Sequence, residues 1–387
     1  MVVGCGALGN EVLKDLVLTG VRHLVIVDFD TVEADNLSRS VLFSREDAAA
    51  GRRKVEAAAE RLKQMSPDLD IQQIFGDIAY DVGLGLIRRM DVVIGCVDNR
   101  WARYCINRLC MRAGIPWVDG GIEGLEGTAR VFKPGENCYA CNLGPEGLKD
   151  MAYRMPCSGV IRRDLAAGKS PTTPIAAAII AAVEAQEALK IVESSKREVN
   201  GRSGKEWQGV ARSARQYKKE SREFTSLCGK MFYYEGEHLT TRIVDFKAWD
   251  DDCPVHERWE PVEPSPLRVQ NTVAETLDYL NTKFSTVRAN DYLPLQIVLE
   301  DCFVDYVAKR TDDRRYEVMK PGRAVAAFVE SHRLLRGIPF SNLYQHEWQE
   351  IGNDFPYQHL TLADLGIPSQ AVLRIKEKKE HYIEIKN

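Results

Sequence analysis

Three groups of residues in this chain have types and spacings that could do chemistry. The first is Gly4, Gly6 and Gly9 in "VVGCGALGNEVLKDLVLTGV", between a short apolar run and a helix showing Val12, Leu13, Leu16 and Val17 on one face. Glycines between a strand and a helix N-terminus let backbone N–H groups close on a phosphate that the helix dipole favours. The second group is polar. It comprises Asp28 at the end of "HLVIVD", Asp30, Asn36 and Arg39 in "DFDTVEADNLSRS", Lys54 in "GRRK", and Asp98 with Asn99 in "CVDN". The third group is Cys138 and Cys141 in "NCYACNL" with Cys253 and His256 in "DDCPVHERW", two pairs of the same spacing. Three thiolates and an imidazole complete a tetrahedral structural zinc site, with Cys228 as a reserve ligand. Four protein ligands leave no open position, so such a zinc pins a loop and does not catalyse.

Whose phosphate the glycines hold is decided by their company. Asp28 follows Gly9 by about twenty residues, where an acid meets a ribose hydroxyl, and this suits a dinucleotide and ATP equally. Hydride transfer needs few charges near the nicotinamide. A triphosphate with magnesium needs cations on the phosphates and a carboxylate on the metal. Arg39, Lys54 and Asp98 supply that set, so ATP and Mg2+ are expected and a dinucleotide oxidoreductase is the weaker reading.

The elements that must position these residues alternate as far as about residue 192. "HLVIVD", a strand near Ile71 to Phe75, "MDVVIGCVDN" and "GIPWVDGGIEG" are apolar runs separated by helical patterns, among them "AAAGRRKVEAAAERLKQMSP". This order predicts an α/β fold with a doubly wound, mostly parallel sheet and ligand groups at the strands' carboxyl ends. The first strand is very short, as though clipped or continued upstream. The segment "TPIAAAIIAAVEAQEALKIV" carries Glu184, Glu187 and Lys190 and reads as a buried core helix, not a membrane span. The chain has 387 residues, 44% of them hydrophobic and 28% charged, and a net charge of -4. That charge offers no field for nucleic acid or an anionic membrane. Ten cysteines without a visible leader suggest a cytoplasmic protein with thiol or metal chemistry. Cys5, Cys96, Cys105, Cys110 and Cys302 fall in apolar patterns and read as core. Cys157 lies in the polar connector "YRMPCSGVIRRDLAAGKSPTTP", where Arg154, Arg162 and Arg163 would stabilise a thiolate.

Taken together, "GCGALG", "VDFDTVEADNLSRS", "GRRKVEAA", "GCVDNRWAR" and "GIPWVDGGIEGLEG" resemble the successive motifs of the ThiF family. This is the adenylating fold of ubiquitin-activating enzymes and of activators of sulfur-carrier proteins. The resemblance covers about residues 1–192 and resumes at about 226–256. It implies that Gly4, Gly6 and Gly9 form the nucleotide loop and that Asp28 holds the ribose. Asp30, Asn36, Arg39 and Lys54 would address the phosphates, with Asn99 beside them, and Asp98 would hold magnesium. It further implies a homodimer, His256 in place of the last cysteine of a C-P-x-C pair, and Cys157 as the acyl-accepting nucleophile ahead of "SPTTP". Family members often send an arginine from an N-terminal helix into the partner's site, and no counterpart precedes the first strand here.

The expected organisation is an adenylation domain over 1–260, with a crossover loop at about 144–173 and a polar insertion at about 194–224. A smaller α+β domain follows over 265–387, beyond the prolines of "EPVEPSPL". "TVAETLDYLNTKF" reads as its helix and "LTLADLGIPSQAVLRIKEKKEHYIEIKN" as a helical turn, a loop and two strands. These resemble the β-grasp ubiquitin-fold domain that recruits a conjugating enzyme. The expected activity is ATP-dependent activation of a ubiquitin-like protein with a C-terminal glycine, through an acyl-adenylate and a Cys157 thioester. The alternatives are a sulfur-carrier adenylyltransferase and a non-catalytic subunit of a heterodimeric activator.

Overall fold

A computed structural model describes residues 1–143, 147, 173–200, 226–246, 253, 255–284, 294–310, 316–323, 340–377 and 379–387. Internal contacts divide these into two compact units. The first is built on residues 1–143 and 173–258 apart from Tyr80–Leu86, and the second on Trp259–Asn387 with that short segment.

In the first unit the strands are β1 (Val2–Val3), β2 (His23–Asp28), β3 (Asp70–Phe75), β4 (Val93–Gly95), β5 (Trp117–Glu123), β6 (Glu126–Phe132), β7 (Lys230–Glu235) and β8 (Thr240–Asp245). They form one sheet in the order β3-β2-β1-β4-β5-β6-β7-β8. The pairings from β3 to β5 are parallel and those from β5 to β8 antiparallel, so the sheet is mixed. β1, β4 and the centre of β2 are apolar throughout because a parallel sheet is covered on both faces. The helices are α1 (Ala7–Leu18), α2 (Arg45–Ala50), α3 (Lys54–Met65), α5 (Arg100–Ala113) and α6 (Pro174–Asn200), while the short α4 (Leu84–Ile87) falls mostly in the segment assigned to the second unit. α1 buries Val12, Leu13, Leu16 and Val17, and these join Ile26, Ile94, Val118, Ile180 and Ala181 in one core.

Several elements differ from the sequence reading. The helical stretch around "AAAGRRKVEAAAERLKQMSP" is two helices, because Gly51 caps α2 in the left-handed region (φ 57°) and Arg53 is extended. α6 continues to Asn200, past the residue where the polar insertion was expected to start. On α6, Glu187 is buried and accepts from the N–H of Leu227 at 2.8 Å and the Ser226 hydroxyl at 3.1 Å. This buried carboxylate therefore receives the returning chain ahead of β7. Among the described residues no helix is long and apolar enough to cross a membrane.

In the second unit the strands are β9 (Val262–Arg268), β10 (Gln296–Arg310), β11 (Tyr316–Arg323), β12 (Phe340–Ile351), β13 (Val372–Lys376) and β14 (Glu380–Lys386). The order is β11-β10-β13-β14-β9, with β12 also on β10. Helix α7 (Val273–Phe284) lays Val273, Leu277, Leu280 and Phe284 on Ile297, Phe303, Ile375 and Ile383. The expected helix and the two terminal strands are present. A β-grasp, however, opens with a hairpin ahead of its helix, whereas here the single strand β9 leads into α7 and the long β10 enlarges the sheet. Two of the prolines taken as a boundary, Pro264 and Pro266, lie inside β9, a place they tolerate because β9 is a sheet edge.

Candidate nucleotide site and metal centre

The chain leaves β1 for β2 on one side and returns to β4 on the other, which makes a crevice at the carboxyl ends of β1 and β4. Gly4, Gly6 and Gly9 sit at its floor, each for a different reason. Gly4 has φ 95°, and a Cβ there would lie 2.4 Å from the Cys96 carbonyl oxygen. A Cβ on Gly9 would lie 1.9 Å from the Gly4 oxygen. Gly6 is sterically open and stands at the N-cap of α1 without a side-chain capping bond. Open space over uncapped helical N–H groups is a cradle that fits a phosphate.

Asp28 reaches this loop directly. Its two oxygens accept from Cys5 N–H at 2.6 Å and Asp30 N–H at 2.7 Å. Burial pushes its carboxyl above the usual range, while Lys54 and these two N–H donors hold it down. Lys54, the first residue of α3, is nearly buried and bonds Asp30 at 2.7 Å, and its own N–H meets the Asp30 carbonyl. Asp28, Asp30 and Lys54 therefore meet at the glycine loop. Asp98 and Asn99 follow β4 at the sheet's same end, and Asn99 caps α5 by accepting from Ala102 N–H at 2.8 Å. Asp98 is exposed, in contact with the Asn99 amide. Asn36 is buried, and its side-chain oxygen closes a capping box with Glu33 N–H, while Arg39 Nη1 donates to the Asp35 carbonyl.

One positioning residue escaped the sequence reading. Asn10 is fully buried, donates to the carbonyls of Cys5 (2.7 Å) and Gly6 (3.0 Å), and accepts from Leu42 N–H (2.8 Å). It ties the glycine loop to the segment carrying Arg39. The signal was an asparagine on the apolar side of α1, one residue past Gly9.

The four expected metal ligands meet in one cluster: Cys138, Cys141, Cys253 and His256 bring their donor atoms within 4.8 Å of one another. Cys138 Sγ is 3.7 Å from Cys141 Sγ and 3.8 Å from Cys253 Sγ, and Cys141 Sγ is 3.1 Å from His256 Nε2. Zinc–sulfur bonds of about 2.3 Å at tetrahedral angles imply sulfur separations of about 3.8 Å, so the donors fit zinc. Hydrogen bonding with Cys253 holds the Cys138 thiol down to about 5. Cys228 stands apart, donating to Glu136 at 3.1 Å, and burial with that bond pushes its thiol up to about 12. It is neither a spare ligand of this cluster nor a ready nucleophile. Cys5, Cys96, Cys105 and Cys110 are buried free thiols, as expected, whereas Cys302, also buried, is disulfide-bonded. Cys157, with Arg154, Arg162 and Arg163, lies outside the described residues.

Comparison with known proteins follows this geometry. The SAMP-activating enzyme E1 of Haloferax volcanii is 31% identical over 255 residues, covering 66% of this chain and 78% of that protein. SUMO-activating enzyme subunit 2 of Dictyostelium discoideum is 34% identical over 143 residues, and the adenylyltransferase and sulfurtransferase MOCS3 of Bos taurus 38% over 142. The aligned part spans 21% and 31% of the lengths of those two. The crystal structure of E. coli MccB with succinimide superposes with a TM-score of 0.48 at 20% identity, over 66% of this chain and 65% of that one. The ThiF family matches residues 1–232, which hold the glycine loop, every polar residue of the crevice and the first two cysteines of the cluster. This chain belongs to the ThiF family.

Proposed function

We propose that the protein adenylates the C-terminal carboxylate of a ubiquitin-like protein and receives the acyl group on a thiol. The crevice carries this reading, because an uncapped helix N-terminus, the Asp28 carboxylate and the Lys54–Asp30 pair meet there on the family's motifs. ATP lies with its phosphates over Gly4, Gly6 and Gly9 and its ribose at Asp28. Asp30, Asn36, Arg39, Lys54 and Asn99 line the phosphate path. Magnesium held by Asp98 would offset phosphate charge. The substrate's carboxylate oxygen attacks the α-phosphorus, and the bond to pyrophosphate breaks. Lys54 and Arg39 meet the charge that builds there, a preorganised electrostatic contribution. The Cys157 thiolate then attacks the acyl carbon, and AMP leaves with the electron pair of the broken bond.

In this reading, zinc at Cys138, Cys141, Cys253 and His256 is structural. A homodimer, an adenylation domain over 1–260 and a 265–387 domain that offers the thioester to a conjugating-enzyme-like protein complete it. The names of the SUMO- and SAMP-activating relatives support a ubiquitin-like substrate. Similarity to MOCS3 favours a second reading, adenylation of a sulfur-carrier protein, in which Cys157 is dispensable.

ATP–pyrophosphate exchange, with a glycine-terminated ubiquitin-like protein as substrate, separates these readings. Asp98→Ala should lower exchange by at least ~100-fold. Cys157→Ala should retain exchange and lose a covalent adduct that thiols cleave. Brisk wild-type exchange without an adduct would transfer the assignment to sulfur-carrier activation, and absence of exchange would defeat both.

A further inference from the structure

Asp119 on β5 has no exposed surface, and two arginines share it. Arg103, in the N-terminal part of α5, donates from Nε to Asp119 Oδ1 at 2.8 Å and from Nη2 to the Gly120 carbonyl at 2.8 Å. Arg130, paired with Asp119 across β5 and β6, donates from Nη2 to Oδ2. Two guanidiniums on one carboxylate leave a positive charge unmatched. Glu184, against Gly120 on the other face of β5, does not match it. Neither of its buried oxygens has a donor, and a buried carboxyl without donors stays neutral.

The two bonds of Arg103 spend one edge of its guanidinium, Nε with one Nη2 hydrogen. The other end, Nη1 with the second Nη2 hydrogen, enters no bond or ion pair among the described residues. That end is the fork that takes a carboxylate through two parallel bonds. Gly121 leaves room beside it. A Cβ there would lie 3.4 Å from Arg103 Nη2 and 3.3 Å from Thr128 Oγ1, and the glycine itself is half-buried.

The fork also stands in a useful place. Asp119 pairs with Gly95 at the end of β4, and Cys96, the next residue, sets its carbonyl against Gly4. Arg103 therefore lies on the β5 side of the glycine loop with β4 between them, whereas Lys54 and Asp30 meet the loop from the β2 side. An anion brought up to bound phosphates is repelled by them, so it needs a cation that the phosphates do not already occupy.

We propose that the free fork of Arg103 receives the C-terminal carboxylate of the protein substrate and holds it for attack on the nucleotide. The proposal rests on the adenylation reading for the identity of that substrate.

The probes are a glycine-terminated ubiquitin-like protein as the free acid and the same protein ending in a carboxamide. Each is titrated into the full chain without nucleotide. The wild-type chain should bind the acid about 10–100-fold more tightly, the range of charge-assisted bonds. Arg103→Gln should bring the acid down to the carboxamide's affinity and leave the KM for ATP in pyrophosphate exchange unchanged. That variant breaks a buried pair and can unfold the chain. Gly121→Val is the second arm: it keeps Arg103 on Asp119, covers the fork and should erase the same preference. A packing defect alone would weaken both forms together and leave their ratio. An unaltered ratio in either folded variant, or no preference for the acid in the wild type, would overturn the role of Arg103. Preference for the acid without any pyrophosphate exchange would defeat adenylation and leave the carboxylate fork standing.

Discussion

Glu184 on α6 has no exposed surface, and neither carboxyl oxygen finds a hydrogen-bond partner. It presses on β5 so closely that a Cβ at Gly120 would lie 2.4 Å from its carboxyl carbon. Burial, and then the charge of Asp119, push its pKa well above the carboxylate range, while Arg103 pulls it back. Arg103 is itself committed to Asp119 Oδ1 and the Gly120 carbonyl, each at 2.8 Å. A raised pKa in the folded state means that the folded chain keeps a proton which the unfolded chain releases above about pH 4.3. Stability therefore falls as pH rises through that window, by up to ~1.4 kcal/mol per pH unit. Glu184→Gln keeps the shape and cannot ionise, so it should raise Tm at neutral pH and flatten the alkaline decline. A lower Tm with an unchanged slope would mean that the carboxylate is ionised and held by Arg103. The sequence showed an acid on a helix but not its state, because the groups that face it come from β5 and α5.

At the scale of elements, the glycine loop is held from three sides. Asp28 at the end of β2 accepts the Cys5 N–H, Asn10 on α1 donates to two loop carbonyls, and Cys96, the residue after β4, sets its carbonyl against Gly4. Asn10→Ala leaves Leu42 N–H and the Cys5 carbonyl without partners inside the core, at about 1–3 kcal/mol for each group. Urea unfolding should register that loss, and ATP affinity should drop with it because the loop is freed from the Arg39 segment. Unchanged ATP affinity in a destabilised variant would confine Asn10 to stability. Strands and helices here were legible from apolar period and glycine position. Their ends were less so: the α2–α3 break turns on one left-handed glycine, and β9 runs through prolines that a central strand would exclude.

At the scale of the molecule, the cysteine–histidine cluster joins points 115 residues apart in sequence. A clip across so long a span restricts the unfolded chain strongly, and metal affinity counts as folding free energy where the site forms only on folding. Chelation should therefore lower the thermal midpoint before it alters any single chemical step, and Cys138→Ser with Cys141→Ser should reproduce the loss without chelator. Calorimetry on metal-loaded and stripped protein reads this directly; equal midpoints would remove the clip from the stability of the fold.

Local pattern alone determined the parts of this protein that depend on local chemistry. Gly4 and Gly9 stood out as a tight loop where only glycine allows the backbone approach, and two C-x-x-[CH] pairs stood out as four donors that meet in space. Tertiary structure decided everything that depends on which surfaces meet. It paired Lys54 with Asp30, committed Asn36 to a cap, set Cys228 against Glu136 and away from the cysteine–histidine cluster, and buried Asn10 and Asn107 against partners on other elements and the Glu184 carboxyl without a hydrogen-bond partner. The reason is desolvation. A polar side chain's energy is set by whether its partners arrive before water is excluded, and those partners are chosen by the packing of separate elements.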